Sequence, residues 1–121
     1  MGTSLAKMQY KPKNMILKKY SVDGEQRKAT LFFQYGEQVI RYMMYTNSKD
    51  SSLGQKTVDN LINAYEIENE GKKIQVKEYE VKNTKEKRYI AEFEYKDVQY
   101  QLKGIMEKAE FDKIIKNLFF M

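Results

Sequence analysis

The chain of 121 residues has no cysteine, no histidine and no tryptophan, and it contains a single proline. Without cysteine and histidine there is no thiolate or imidazole for a metal site, no cysteine nucleophile and no histidine-based triad. Histidine is also the commonest general acid or base, so its absence favours a protein that is not an enzyme. We therefore predict no catalytic residue, no cofactor and no metal site.

Long apolar runs are also missing. No segment approaches the roughly 20 apolar residues that a membrane-spanning helix needs, and residues 1–7 lack the hydrophobic core of a secretory signal. If the natural protein is exported, we expect its targeting segment and membrane tether to lie outside this sequence. Phosphate-binding glycine motifs are absent as well, because the glycines are isolated.

Composition indicates one globular domain, with 41% hydrophobic and 32% charged residues. The net charge of +5 is unevenly distributed, since the first 20 residues hold five lysines and no acid. This basic patch consists of Lys7, Lys11, Lys13, Lys18 and Lys19. It is typical of a solvated leader and the exposed face of a first strand, and it also suits an anionic membrane surface or nucleic acid.

Alternating apolar residues predict a series of antiparallel strands joined by tight turns. The predicted strands are 14–20, 27–35, 38–46, 65–69, 73–82, 88–95 and 98–103. Strand 38–46 is apolar on both faces, so we place it centrally. In strand 73–82 the apolar phase slips by one residue, which predicts a bulge near Lys77-Glu78.

Two other segments complete the organisation. Residues 47–60 are polar and turn-rich and predict the longest surface loop, while residues 57–64 suit either a short helix or the start of a strand. Helical spacing follows over 107–118, with the apolar stripe Phe111, Ile114, Ile115, Leu118 and Phe119. We predict an α+β domain over 14–121, in which a curved antiparallel meander of about six or seven strands forms a half-barrel covered by this helix, after a leader over 1–13.

Ten tyrosines and seven methionines supply candidate contact residues. Tyrosine and methionine recur in binding surfaces, and they are also ordinary strand and core residues. Because the covering helix meets only one face of strand 38–46, we select Tyr42, Met44 and Tyr45 as candidate ligand contacts, beside the 47–60 loop. The paired carboxylates Glu92 and Glu94 could share a proton or hold a cation, but their spacing is that of an ordinary polar sheet face.

Two motifs resemble a known bacterial family. The first is Pro12-x-x-Met15-x-Leu17 before the meander; the second is Phe93-x-Tyr95-x₄-Tyr100-x-Leu102-x-Gly104, followed by a helix containing Ile114-Ile115. Both resemble the bacterial domain-of-unknown-function family 4367, from about Tyr10 onward. Members of that family often begin the helix with Ser or Thr, where this chain has Met106-Glu107.

The resemblance implies a location and supplies no catalytic residue. Domains of this family usually lie outside the cell, carboxy-terminal to a single membrane span, in Gram-positive bacteria. We expect a non-enzymatic extracytoplasmic binding or sensing module of a membrane-anchored protein, with a protein, lipid or envelope ligand. The alternative is a small basic cytoplasmic adaptor that binds nucleic acid or an acidic partner through the lysines at 7–19, although no RNA-binding aromatic motif supports nucleic acid.

Overall fold

The computed structural model describes residues 6–25, 27–46 and 60–120. It contains nine strands and one helix in these ranges: β1 (Ala6–Met8), β2 (Met15–Asp23), β3 (Lys28–Tyr35), β4 (Gln38–Tyr45), β5 (Asn60–Asn69), β6 (Lys72–Glu80), β7 (Lys87–Tyr95), β8 (Val98–Ile105), α1 (Lys108–Lys116) and β9 (Leu118–Phe120).

Seven strands form one open antiparallel sheet in the order β2-β3-β4-β8-β7-β6-β5. The chain makes one meander from β2 to β4 and a second from β5 to β8, and the pairing of β4 with β8 joins them. The two remaining strands, β1 and β9, pair with each other in a separate two-stranded sheet. This architecture confirms the predicted α+β fold with a C-terminal helix.

Tight turns connect the strands of each meander. The turn between β7 and β8 has positive φ at both Lys96 (51°) and Asp97 (69°), as the usual two-residue hairpin turn requires. Gly71, at φ 82°, supplies the same left-handed conformation between β5 and β6 without a Cβ clash. Each turn therefore fixes the register of the strands that it joins.

The helix covers one part of the inner face of the sheet, on the side of β5 and β7. Phe111, Ile114 and Ile115 are fully buried there, and the ring of Phe111 lies 5.3 Å from that of Tyr89. The Asn69 side-chain amide donates to the carbonyl of Ile115 (3.0 Å), an acceptor that the end of the helix leaves open, and to the carbonyl of Leu118 (3.1 Å) at the start of β9. Phe111, Ile114 and Ile115 of the predicted apolar stripe thus form the packing face of α1, whereas Leu118 and the exposed Phe119 belong to β9.

Local structure differs from the sequence prediction at three places. Residues 6–8 of the predicted irregular leader form a strand, and the helix ends at Lys116. The bulge lies on β5, where Leu61 and Asn63 pair with Tyr79 and Glu78, and not on β6. β6 pairs with β7 without a break, so Tyr79 lies on the face opposite to Ile74 and Val76, and this accounts for the phase slip in the sequence of β6.

The 47–60 segment is the remaining sequence prediction. Residues 47–59 lie outside the described residues. The structure therefore does not test the predicted surface loop or the choice between helix and strand over 57–59. From Asn60 onward the chain is a strand rather than a helix.

Candidate functional site: a pocket beneath a two-stranded strap

Strands β1 and β9 form a strap across the middle of the inner face. The hydroxyl of Tyr42 donates to the Ala6 carbonyl (2.7 Å), and the hydroxyl of Tyr100 accepts from the Ala6 N–H (3.1 Å). Ala6 is completely buried, and both of its backbone polar groups are satisfied by tyrosines of the main sheet. On the other strand of the strap, the Phe120 ring packs edge-on against Phe93, with centroids 5.8 Å apart.

The tyrosines that hold the strap belong to an aromatic stack. Tyr100 stacks on Phe93 at 4.9 Å and on Tyr42 at 5.9 Å between ring centroids. Burial raises the pKa of Tyr42 and that of Tyr100, because burial penalises the phenolate. Both hydroxyls therefore stay protonated at physiological pH, which the Tyr42 hydroxyl needs in order to donate.

A pocket of about 300 Å³ opens between the strap and the β3–β4 part of the inner face. Its lining consists of Ala6, Lys7, Met8, Lys11, Leu31, Phe33, Tyr42 and Met44. The two lysines are exposed, whereas the sheet contributes only apolar side chains and the buried Tyr42. The arrangement is an apolar floor under a strap, with cationic side chains at the solvent side.

The apolar floor continues to the edge of the sheet. Cross-strand pairing places Tyr20 beside Leu31, and Leu31 beside Tyr42, so these three share one face. Leu17 and Val22 lie on the same face of β2, and Tyr20 is 70% exposed. A ligand seated in the pocket would therefore find further apolar surface along β2.

The three predicted contact residues do not share a face. Tyr42 and Met44 line the pocket, as neighbours two apart on a strand should. Tyr45 pairs with Lys28 and Gln99, so alternation places it on the outer face, away from the pocket. The grouping of Tyr45 with Tyr42 was therefore wrong for this pocket. The sequence analysis missed Leu31, which the period-2 pattern of 27–35 could have identified, and the strap, whose three-residue strands carry no periodicity.

The lysines of the basic patch are divided between two faces. Lys7 and Lys11 line the strap pocket on the inner face. Lys18 and Lys19 line a different groove, together with Arg41 on the outer face. Lys13 lies exposed in the turn before β2. The five lysines therefore do not all line one site.

The start of the helix uses its carboxylates to bind tyrosines. Glu107 occupies the N-cap position without a side-chain capping bond, and its carboxylate accepts from the Tyr35 hydroxyl (2.5 Å). That hydrogen bond lowers the pKa of Glu107 and raises the pKa of Tyr35 to about 12. The next turn repeats the contact, since Tyr10 donates to Glu110 (2.6 Å). Glu107 thus ties α1 to β3.

The acidic pair singled out in the sequence lies outside the pocket. Glu92 accepts from the side-chain amide of Gln101 (2.9 Å), and both Glu92 and Glu94 are on the outer face of β7. Across residues 6–25, 27–46 and 60–120, no group of three or more acidic side chains is arranged to hold a metal ion. In the same ranges no helix has the length and apolarity to cross a membrane.

Comparison with known proteins gives one match. The model of a family described as Domain of unknown function (DUF4367) matches residues 6–118. The chain belongs to this family. The match confirms the resemblance found in the sequence, and it extends over every described element of the DUF4367 domain except the end of β9. No curated protein and no solved structure matches the chain.

Proposed function

We propose that this DUF4367 domain is a non-enzymatic binding or sensing module, displayed outside the cell by a membrane-anchored protein of a Gram-positive bacterium. The strap pocket is the observation that supports binding. Its volume of about 300 Å³ is at the lower end of the range for small-molecule pockets, and it equals that of about ten waters at roughly 30 Å³ each. A small apolar or amphiphilic molecule fits this chemistry.

The lining favours binding over catalysis. Among the described residues that line the pocket, the only titratable groups are Lys7, Lys11 and Tyr42. Tyr42 is 2% exposed and its hydroxyl is engaged with the strap, so no general base stands beside a nucleophile. The pocket instead offers apolar area, with Leu31 and Met44 half-buried and accessible.

Binding can be tested with decanol as an uncharged apolar probe. Calorimetry should detect binding to the wild-type domain, and Leu31→Trp should weaken it at least tenfold because the indole fills the pocket. Val39→Trp is the matched control, since it adds the same ring to the outer face. A Leu31→Trp variant that binds decanol like the wild type would refute the pocket, and so would a wild-type domain that binds none.

Export needs a separate test on the natural full-length protein. In intact cells, external protease should cleave an extracytoplasmic domain, and the protein should sediment with membranes. A domain that stays protected until the cells are lysed would contradict the proposed location and leave the decanol result unaffected.

A further inference from the structure

A second groove, of about 310 Å³, lies on the opposite side of the sheet near its β2 edge. We name it the outer groove, and its lining is Lys18, Lys19, Phe32, Phe33, Gln34, Val39 and Arg41. The charged members of this lining are all cations, and no carboxylate is among them. The strap pocket shares only Phe33 with it, so the two are separate features.

A bulge in β2 gathers two of the cations. Leu17 pairs with Phe33 and Lys19 with Phe32, which leaves Lys18 as the extra residue. In a regular strand, consecutive side chains point to opposite faces; a bulge changes their direction. Here both Lys18 and Lys19 line the same groove. The same bulge shifts the phase so that Tyr20 faces the inner side.

The cations surround an aromatic floor. Lys19 Nζ lies 5.1 Å from the centroid of the Phe32 ring, and Arg41 Cζ lies 5.8 Å from it. Cross-strand pairing sets Lys19, Phe32 and Arg41 side by side on three successive strands. Positive charge is therefore concentrated at one place on the outer face, where it attracts anions.

Exposed aliphatic side chains lie directly beside this charge. Ile16 and Val39 both pair with Gln34, in the next cross-strand row of the same face. Ile16 is 52% exposed and Val39 is 42% exposed. A site for a small soluble anion has no use for these two side chains. A lipid surface does, because aliphatic side chains enter the headgroup region while lysine and arginine meet the phosphates.

We propose that the outer groove, together with the neighbouring Ile16, docks the domain on an anionic lipid surface. Lys18, Lys19 and Arg41 contact the headgroup phosphates, and the two aliphatic side chains enter the interface. This contact is independent of the strap pocket and of any covalent tether. It would hold the β2 edge of the sheet against the membrane.

Vesicle sedimentation tests the proposal on the whole 121-residue chain. Wild-type protein should bind phosphatidylglycerol-containing vesicles and leave pure phosphatidylcholine vesicles largely unbound at about 0.1 M salt. One cation near an anionic surface strengthens binding about fivefold, so the triple variant K18Q/K19Q/R41Q should bind about 100-fold more weakly. The matched control, K82Q/K85Q/K116Q, removes the same net charge from exposed sites outside the groove and should lose less than about fivefold.

Two further measurements distinguish binding to a membrane from binding to a soluble anion. The variant I16S/V39S keeps every charge and should weaken vesicle binding several-fold, and inorganic pyrophosphate at 1 mM should displace little protein. Equal losses in the two triple variants would overturn the proposal, because net charge alone would then explain binding. Full binding by I16S/V39S, combined with displacement by pyrophosphate, would also overturn it and identify a soluble-anion site.

Discussion

The hydroxyl of Tyr42 should be a large contributor to stability relative to its size. Tyr42→Phe removes one oxygen, keeps the ring in its stack with Tyr100, and leaves the buried carbonyl of Ala6 without its donor. A buried acceptor that loses its partner costs about 1–3 kcal/mol. For a chain of this length, 1 kcal/mol corresponds to about 4 °C in Tm, so we expect Tm to fall by about 4–12 °C.

Tyr20→Phe is the matched control for this change. It removes the same atom from a side chain on the same sheet face, but Tyr20 is exposed and its hydroxyl is in water. The free energy of unfolding should then change by less than about 0.5 kcal/mol. Urea unfolding should show a shifted midpoint and an unchanged m value for Tyr42→Phe, because the surface exposed on unfolding is the same.

Tyr100→Phe tests the other half of the same contact. It leaves the Ala6 N–H unpaired, so hydrogen exchange at this amide should accelerate. Because both hydroxyls hold one residue, the double variant Y42F/Y100F should cost less than the sum of the two single changes. Two results together would refute this attachment of the strap: the same Tm for Tyr42→Phe and Tyr20→Phe, and an unchanged exchange rate of the Ala6 amide in Tyr100→Phe.

Two further predictions concern the packing of β8 and the start of α1. Gly104→Ala should cost about 1–3 kcal/mol, because the new Cβ would clash with the fully buried Ile40 side chain and lie 3.3 Å from the Ile40 Cα. Gly24→Ala is the control, since its Cβ meets nothing within 4 Å. Thermal melts should show a lower Tm for Gly104→Ala and an unchanged Tm for Gly24→Ala. Tyr35→Phe should lower Tm by about 2 °C at pH 7, from roughly 0.5 kcal/mol after solvent screening. The pKa of Glu107 is lower in the folded state, so this contribution is present above its unfolded pKa and is lost as pH falls. The difference between Tyr35→Phe and wild type should therefore shrink at pH 3, and a constant difference would contradict it.

Elements with strong periodicity could be predicted from the sequence. The stripe containing Phe111, Ile114 and Ile115 identified the buried face of α1, and alternation over 88–103 identified the β7–β8 hairpin with its turn at Lys96-Asp97. Each of these segments repeats its signal several times, so one atypical residue does not hide it.

The strap could not be predicted in this way. β1 has three residues and pairs with a strand more than 100 residues later, so neither local periodicity nor a turn motif marks it. Its attachment depends on the hydroxyls of Tyr42 and Tyr100. Tyrosine is a common strand residue, so the presence of these two tyrosines in β4 and β8 does not predict the contact. The pocket could therefore be predicted only in part. Tyr42 and Met44 could be selected from β4, but nothing in the sequence shows which segment covers them.

The bulge at Lys18 connects the two candidate surfaces. If Lys18 paired regularly and formed no bulge, alternation along β2 would turn Lys19 inward and Tyr20 outward. The inner floor beside Leu31 would then carry a charge, and the outer groove would lose one of its cations. Deletion of Lys18 removes the extra residue and leaves Leu17, Lys19 and Tyr20 in regular alternation on the faces that they already occupy, so it should weaken vesicle binding and leave decanol binding unchanged. Substitution by glutamine should affect only vesicle binding, because the phase of the strand is kept.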